Sequence, residues 1–208
     1  MQRRDVALLS IGSLVLLLTL AVFFVVFGRQ SEGPTLAELG GQFQLVDTEG
    51  GVVTQDELIG KPTLLFFGFT YCPDVCPNTL FKLSRLIQQL GPQADQFNYL
   101  FVSLDWQRDG PEQLARYLSV FDERIRGLSG NEAQIDAMAD AYQVQYERVS
   151  LGQGDYTLSH TAATYLLDRE GNVVGTLAYD FDPEFAKASL ISLLSSSAPL
   201  HRGEQRHP

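Results

Sequence analysis

Residues 63–90 read TLLFFGFTYCPDVCPNTLFKLSRLIQQL, and this stretch decides the expected fold. Residues 63–69 form an apolar and β-branched run after Lys61-Pro62, which predicts a strand that is buried on both faces. Across residues 77–90 leucine and isoleucine recur at helical spacing, and Gly91-Pro92 supplies the signals of a helix end. The only two cysteines of the chain lie between these elements. The stretch therefore predicts a strand, a cysteine-bearing turn and a helix in succession.

The remaining hydrophobic patterns complete an alternating order of strands and helices. Further strands are predicted at residues 42–47, 97–104, 163–167 and 173–179. Further helices are predicted at residues 111–121, which begin with proline, at 131–142, which Asn131 caps, and at 183–194. This order predicts an α/β sandwich with a mixed central sheet and flanking helices. It is the arrangement of the thioredoxin-like fold, with an extra N-terminal strand and additional helices.

An uninterrupted apolar segment, residues 6–27, precedes this domain. As a helix rising about 1.5 Å per residue it would extend about 33 Å, enough to cross a hydrocarbon core about 30 Å thick. A cleaved signal peptide is the alternative, but its apolar core is usually about 7–15 residues long and ends in small residues. This segment is longer and ends in FFVVF, which favours a retained transmembrane helix. Arg3 and Arg4 precede it, so we expect a cytoplasmic N-terminus.

The expected organisation is a cytoplasmic tail (residues 1–5), a transmembrane anchor (6–27), a polar linker (28–40), a thioredoxin-like domain (41–196) and a flexible tail (197–208). The basic lead-in is too short for an organellar transit peptide, so we expect a single-pass protein of a bacterial inner membrane with its main domain in the periplasm. The formal net charge of −10 argues against nucleic acid as a partner, because affinity for phosphates comes mainly from lysine and arginine. An acidic domain is compatible with a cationic metal or a basic partner surface.

The cysteine turn, residues 68–77, concentrates the chemistry of the chain. Pro73 and Pro77 each disfavour helical dihedral angles at the cysteine before them, so we expect a stiff turn and a helix with Pro77 at its first position. A helix N-terminus carries partial positive charge and free N–H groups, which favour thiolate over thiol. Cys72 and Cys76 are compatible with a structural disulfide, a redox-active dithiol, a peroxidase-like thiol site or a metal site. We favour a metal site, because three intervening residues let both sulfurs point the same way.

A metal site needs a third ligand, and His160 is the candidate. It stands shortly before the predicted strand 163–167, and in a thioredoxin-like topology the loop entering that strand lies beside the cysteine turn. His201 and His207 fall in the polar tail and are assigned no role. Two thiolates and one imidazole suit copper, since sulfur favours Cu(I) and nitrogen helps to hold Cu(II). A structural zinc site would need four protein ligands, and the chain has no third cysteine.

At these residues the chain resembles the Sco/SenC family of copper-binding assembly factors for cytochrome c oxidase. The resemblance extends over the region from about residue 40 to residue 195. It is carried by Gly68-Phe69-Thr70, Cys72 to Pro77, Val102 to Asp105, Arg108-Asp109, Pro111-Glu112 and Ser159-His160-Thr161. One departure is Trp106, which stands where the family usually has proline.

The resemblance implies a thioredoxin-like fold, a membrane anchor and delivery of copper to the CuA site of cytochrome c oxidase subunit II. It implies that Cys72, Cys76 and His160 bind copper, and that Asp105 shapes the site without binding the metal. A metallochaperone of this kind needs no catalytic turnover. A copper donor protein or a thiol reductant is expected as a further partner.

Two other functions would use the same residues. A thiol-disulfide oxidoreductase would use Cys72 and Cys76 as a redox-active pair that reduces the cysteines of the acceptor. A copper or redox sensor would instead signal to a membrane partner. His160 separates metal binding from disulfide exchange, because only metal binding needs an imidazole ligand.

Overall fold

The structure, a computed structural model, describes Leu36 and residues 39–195. The predicted cytoplasmic tail 1–5 and transmembrane anchor 6–27 lie outside the described residues, as do most of the linker 28–40 and the tail 197–208. No helix within the described residues is long and apolar enough to cross a membrane. The anchor at residues 6–27 therefore stays a prediction.

The described residues form nine strands and four α-helices. The strands are β1 Gln44–Asp47, β2 Val52–Thr54, β3 Thr63–Gly68, β4 Asn98–Ser103, β5 Ile125–Ser129, β6 Tyr146–Gly152, β7 Asp155–His160, β8 Ala163–Leu167 and β9 Val173–Ala178. The helices are α1 Val75–Leu90, α2 Pro111–Leu118, α3 Glu132–Ala141 and α4 Pro183–Ser195. Short 3-10 turns cover Gln55–Leu58 and Gly91–Gln96.

Seven of the strands form one mixed sheet in the order β2-β1-β5-β4-β3-β8-β9. Strands β3, β4 and β5 run parallel at its centre, whereas the outer pairs are antiparallel. Helix α1 lies in the connection from β3 to β4 and α2 in the connection from β4 to β5, as crossovers between parallel strands require. Among the described strands, β6 and β7 pair with each other as a separate hairpin. This mixed sheet with its helices confirms the predicted thioredoxin-like α/β fold.

The apolar runs of the sequence account for the buried centre of the sheet. Every residue of β3 is buried, and so are the last five residues of β4. Helix α1 buries a stripe of residues at the three- and four-residue spacing of one helix face. This stripe includes Cys76, Leu80, Leu83, Ile87 and Leu90. Cys76 therefore belongs to the buried face of α1, next to the carboxyl end of β3.

Every strand and helix predicted from the sequence is present, with ends that differ by at most three residues. Asn131 caps α3 as expected, in a reciprocal pair of hydrogen bonds with Gln134. Strands β2, β5, β6 and β7 were not predicted. In β5 the apolar pattern is interrupted by Arg126 and Gly127, and six of the seven residues of β6 are exposed. Such strands are hard to predict, because burial does not impose a clear alternation of apolar and polar residues on their sequence.

The predicted start of the first helix at Pro77 is wrong. Helix α1 begins at Val75 with Asp74 as its N-cap residue, so Cys76 is the second helical residue. Proline is tolerated at the third position because the first four N–H groups of a helix have no partner within it. The expectation that Pro77 keeps Cys76 out of a helical conformation is therefore wrong as well. Burial of the Cys76 side chain against the sheet overrides that local preference.

Gly68, the last residue of β3, leaves space for the Cys76 sulfur. A Cβ on Gly68 would lie 2.8 Å from Cys76 Sγ and 2.7 Å from Phe101 Cε2, which is too close for van der Waals contact. We expect Gly68→Ala to lower the free energy of unfolding by about 1–3 kcal/mol, because it overpacks the core. Chemical denaturation of the purified protein measures this change.

Gly175→Ala is the matched control for this prediction. Gly175 is also a strand glycine, in β9, but its added Cβ would meet Leu166 Cδ1 at an ordinary contact distance of 3.8 Å. We expect the control to be neutral or to stabilise the protein by about 0.5–1 kcal/mol, because glycine weakens a strand. Equal destabilisation by the two substitutions would contradict the packing explanation.

Candidate functional site

The two cysteines lie on either side of the start of α1. Cys72 is in the turn after β3 and is partly exposed, whereas Cys76 is in the first turn of α1 and is fully buried. Both thiols are free. The N–H group of Cys76 donates a hydrogen bond to Cys72 Sγ over 3.4 Å. An N–H group at a helix N-terminus that points at a sulfur favours negative charge on that sulfur.

His160 is the last residue of β7, and the fold brings it to the cysteines from a distant part of the chain. Its Nε2 lies 3.6 Å from Cys76 Sγ. Its Nδ1 lies 2.9 Å from the carbonyl oxygen of Thr161. A carbonyl oxygen can only accept, so Nδ1 donates this hydrogen bond, and Nε2 is the ring nitrogen that faces Cys76. The Phe69 ring packs edge-on against the imidazole, with ring centroids 5.8 Å apart.

The two thiols have very different acidities. A hydrogen bond from the Cys76 side chain is the largest cause that lowers the pKa of Cys72 to about 4, and the contact with His160 acts in the same direction. The pKa of Cys76 is raised, because its thiol shares that hydrogen bond and is buried. At neutral pH the pair therefore retains one proton on Cys76, and the negative charge rests on the more exposed sulfur of Cys72.

Cys76 Sγ and His160 Nε2 are at the spacing of two ligands of one metal ion. Metal–sulfur and metal–nitrogen bonds of about 2.3 and 2.0 Å, at trigonal or tetrahedral angles, hold the two atoms roughly 3.5–3.7 Å apart. The observed separation of 3.6 Å fits that geometry. No group of three His, Cys, Asp or Glu side chains in the described part of the chain is already assembled as a metal cage. Binding through Cys72, Cys76 and His160 together therefore requires these side chains to draw closer.

A buried carboxylate fixes the cysteine turn to the next loop. Asp109 is fully buried after β4, and its two carboxylate oxygens accept hydrogen bonds from the N–H and the hydroxyl of Thr70, each over 2.7 Å. The Ser103 hydroxyl donates to the same carboxylate over 2.5 Å. Burial raises the pKa of Asp109, and these donors oppose the rise. Thr70 is two residues before Cys72, so a displaced turn would lose these bonds.

Asp105 is buried in the same loop. Its carboxylate accepts hydrogen bonds from residues other than the three candidate ligands. It accepts hydrogen bonds from Arg108 Nε over 2.5 Å and from the Tyr156 hydroxyl over 2.6 Å. Trp106 follows it and is partly buried against the core, beside a small cavity that Leu158 also lines. The role of Asp105 in shaping the site stays a prediction.

Four residues that support the site were not identified from the sequence: Thr70, Arg108, Asp109 and Tyr156. The first three lie in the motifs that carry the family resemblance, and their place in those motifs is the sequence feature that could have identified them. Tyr156 gave none, because it lies in the β6–β7 hairpin that the pattern did not predict. The two other histidines, His201 and His207, lie outside the described residues.

Thiol alkylation should report the hydrogen bond between the cysteines. In the wild-type protein Cys72 should react as a thiolate throughout the neutral range, and its rate should fall only as the pH drops through about 4. Cys76→Ala removes the thiol donor, so the pKa of Cys72 should move up toward the ordinary thiol value of about 8.5. Mass spectrometry of iodoacetamide-treated protein across a pH series measures the midpoint.

Cys76→Ser provides the control, because its hydroxyl can still donate to Cys72. We expect its alkylation midpoint to stay closer to the wild-type value than that of Cys76→Ala. A midpoint that remains near 4 in Cys76→Ala would show that another group stabilises the thiolate.

Known proteins share both the sequence and the fold of this chain. The SCO1/SenC family model matches residues 31–195. An SCO2-like protein of Rickettsia felis is 35% identical over 188 residues, which cover 85% of this chain and 88% of that protein. The copper-bound structure of ScoI from Bradyrhizobium japonicum is 45% identical, with a TM-score of 0.71 over 74% of this chain and 99% of that one.

A more distant structure has the same architecture. BsSco, described as a member of the Sco family of cytochrome c oxidase assembly proteins, is 20% identical, with a TM-score of 0.63 over 79% of this chain and 98% of that one. At this identity the likeness shows the fold alone. The family model, by contrast, matches most of the sequence, including the cysteine turn and His160. The chain therefore belongs to the SCO1/SenC family.

Proposed function

We propose that this protein binds copper through Cys72, Cys76 and His160 and delivers it to the CuA site of cytochrome c oxidase subunit II. The observation that carries the proposal is the 3.6 Å separation of Cys76 Sγ and His160 Nε2, two atoms whose residues are 84 positions apart in the sequence. A soft sulfur and an imidazole nitrogen at ligand spacing, with the thiolate of Cys72 beside them, form a metal-binding donor set.

The donor set supports copper over zinc. Thiolate sulfur suits Cu(I), and imidazole nitrogen helps to hold Cu(II). A closed structural zinc site would need a fourth protein ligand. The Bradyrhizobium japonicum ScoI structure, which is 45% identical, has copper bound. Because thiolate ligands must be deprotonated, copper binding would displace the proton that Cys76 retains.

Unequal exposure of the two sulfurs supports transfer to an acceptor. Cys72 is partly exposed, and its neighbours Tyr71, Pro73 and Asp74 are exposed as well. An acceptor thiolate can therefore approach the metal from the Cys72 side, while the buried Cys76 retains the ion until ligand exchange is complete. The assembly role that the name of BsSco gives for its family supports cytochrome c oxidase as the acceptor.

The predicted anchor at residues 6–27 would hold the domain on the periplasmic side of a bacterial inner membrane. There it would meet a membrane-bound acceptor at a high effective concentration. A copper donor protein or a thiol reductant would load the site or keep its cysteines reduced. Reduction precedes loading, because a disulfide between Cys72 and Cys76 would leave no thiolate for copper, and loading precedes delivery.

Thiol-disulfide exchange is the second candidate function, and the acidity of Cys72 favours it. A partly exposed thiol with a pKa of about 4 is a thiolate at neutral pH and can attack the disulfide of an acceptor. Cys76 lies close enough to resolve the mixed disulfide, which would oxidise the pair and reduce the acceptor. This reaction needs both cysteines but no imidazole ligand.

Replacing His160 by alanine separates the two functions. Cu(I) can be held by two thiolates, so we expect His160→Ala to weaken Cu(I) binding only moderately. Cu(II) prefers nitrogen ligands, so its affinity should fall much further, by about tenfold or more. Competition with chelators under anaerobic conditions measures both affinities, and reduction of an oxidised dithiol acceptor should proceed as in the wild type.

Ser159→Ala is the control, because Ser159 is the exposed neighbour of His160 on the same strand. It should leave both copper affinities unchanged. Delivery is tested by mixing the copper-loaded protein with the reduced soluble domain of subunit II, which should gain the copper. If His160→Ala binds Cu(I) and Cu(II) as the wild type does, His160 is not a ligand and disulfide exchange becomes the better explanation.

A further inference from the structure

Arg108 lies between the two segments that carry the candidate ligands. Its guanidinium carbon is 4.4 Å from the centre of the Tyr71 ring and 3.7 Å from the centre of the Tyr156 ring. Tyr71 directly precedes Cys72 in the cysteine turn, and Tyr156 precedes His160 by four residues in β7. The planar cation therefore contacts one aromatic ring on each ligand-bearing segment.

Hydrogen bonds fix the guanidinium in this position. Arg108 Nε donates to the buried carboxylate of Asp105 over 2.5 Å, and Arg108 Nη1 donates to the Tyr156 carbonyl oxygen over 3.0 Å. The Tyr156 hydroxyl donates to the other oxygen of Asp105 over 2.6 Å. Strand β7 is thus held to the loop after β4 through its backbone and through a side chain.

One nitrogen of Arg108 makes no hydrogen bond in the described part of the chain, although the guanidinium contacts two rings. Arg108 Nη2 is buried and has no hydrogen-bond partner among the described residues. A buried donor without a partner is unfavourable, and most such groups in proteins are satisfied. The guanidinium carbon nevertheless lies over the Tyr156 ring, 3.7 Å from its centre. Cation–π contacts of this kind are worth about 0.5–2 kcal/mol each, which is comparable to the cost of one unmade hydrogen bond.

The β6–β7 hairpin needs such a contact. Its two strands pair with each other and not with the seven-stranded sheet, and β6 is almost entirely exposed. A two-stranded hairpin is at best marginally stable in water by itself. The position of His160 at the end of β7 therefore depends on the side chains that hold the hairpin to the domain.

We propose that Arg108 is a positioning residue that holds the hairpin of His160 against the cysteine turn through its stack between Tyr156 and Tyr71. Its link to copper rests on the proposed function, whereas its effect on the hairpin does not require copper. Arginine suits this position because its flat, weakly hydrated cation can stack on aromatic rings while its edge pairs with a carboxylate. A lysine ammonium could pair with Asp105 but presents no plane to the rings.

A double-mutant cycle in the full-length protein tests the effect on the site. Arg108→Gln should weaken Cu(II) binding by about tenfold, the effect of losing a group that orients a metal ligand. In a His160→Ala background Arg108→Gln should have little further effect, because the ligand that it positions is gone. Equal weakening in both backgrounds, or no weakening in either, overturns the proposal.

Hydrogen exchange in the reduced, copper-free protein provides an independent readout. Amides of β6 and β7 should exchange faster in Arg108→Gln, while those of β3 and β4 should keep their wild-type rates. Unchanged exchange in the hairpin overturns the proposal even if His160 binds copper. If the hairpin exchanges faster in Arg108→Gln but His160→Ala binds Cu(II) as the wild type does, Arg108 still positions the hairpin. That pair of results overturns the proposed copper function instead.

Three further variants separate stacking from charge and from folding. Arg148→Gln is the matched control, because Arg148 also stacks on Tyr156, at 4.0 Å, but is exposed, and we expect wild-type behaviour. Arg108→Lys keeps the positive charge beside Asp105 but cannot stack on the rings. If its hairpin exchanges hydrogen and the variant binds Cu(II) as the wild type does, the stack has no positioning role. Tyr156→Leu removes the ring on the hairpin together with its hydroxyl bond to Asp105, and it leaves the Arg108–Asp105 pair in place. It should reproduce both effects of Arg108→Gln even if that variant folds poorly.

Discussion

The buried carboxylate of Asp109 is the constraint on which the site depends. It joins Thr70 in the cysteine turn to Ser103 at the end of β4, so two parallel strands share one hydrogen-bonded group at their carboxyl ends. Buried carboxylates are tolerated when such donors surround them. With the turn fixed, α1 begins close to the sheet, and the Cys76 sulfur occupies the space that Gly68 leaves open. The placement of both thiols thus follows from packing and hydrogen bonding within the fold.

The chemistry of the site follows from the unequal surroundings of the two sulfurs. Cys72 receives the hydrogen bonds that stabilise a thiolate, and it is the more exposed of the two. Cys76 is buried beneath it and faces the imidazole of His160. A thiolate that is already formed gives an incoming cation its first ligand, and the buried thiol and the imidazole can then close around the ion. The same difference in exposure and acidity makes Cys72 suited to attack a disulfide and Cys76 suited to resolve the mixed disulfide. Copper transfer and disulfide exchange therefore depend on the same properties of the two cysteines.

The sequence predicted those parts of the fold and site whose causes are local. The apolar run at 63–69 and the periodic helix face are visible in the residues themselves, and so were Cys72, Cys76 and His160 as candidate ligands. The β6–β7 hairpin was missed because β6 is almost entirely exposed and β7 buries only Leu158, so neither strand shows a burial pattern. The roles of Arg108 and Tyr156 depend on contacts across 48 positions of sequence, which no local pattern reveals. The start of α1 was misplaced because burial of Cys76 outweighs the preference of a residue before proline.

The central claim is that two sulfurs and one imidazole nitrogen hold a single copper ion. X-ray absorption at the copper edge of the reduced protein, loaded with one equivalent of Cu(I), tests it most directly. Ligation by Cys72, Cys76 and His160 predicts two sulfur scatterers and one nitrogen scatterer in the first shell. His160→Ala should lose the nitrogen and keep both sulfurs. A first shell without nitrogen in the wild-type protein, or one with fewer than two sulfurs, would contradict the claim.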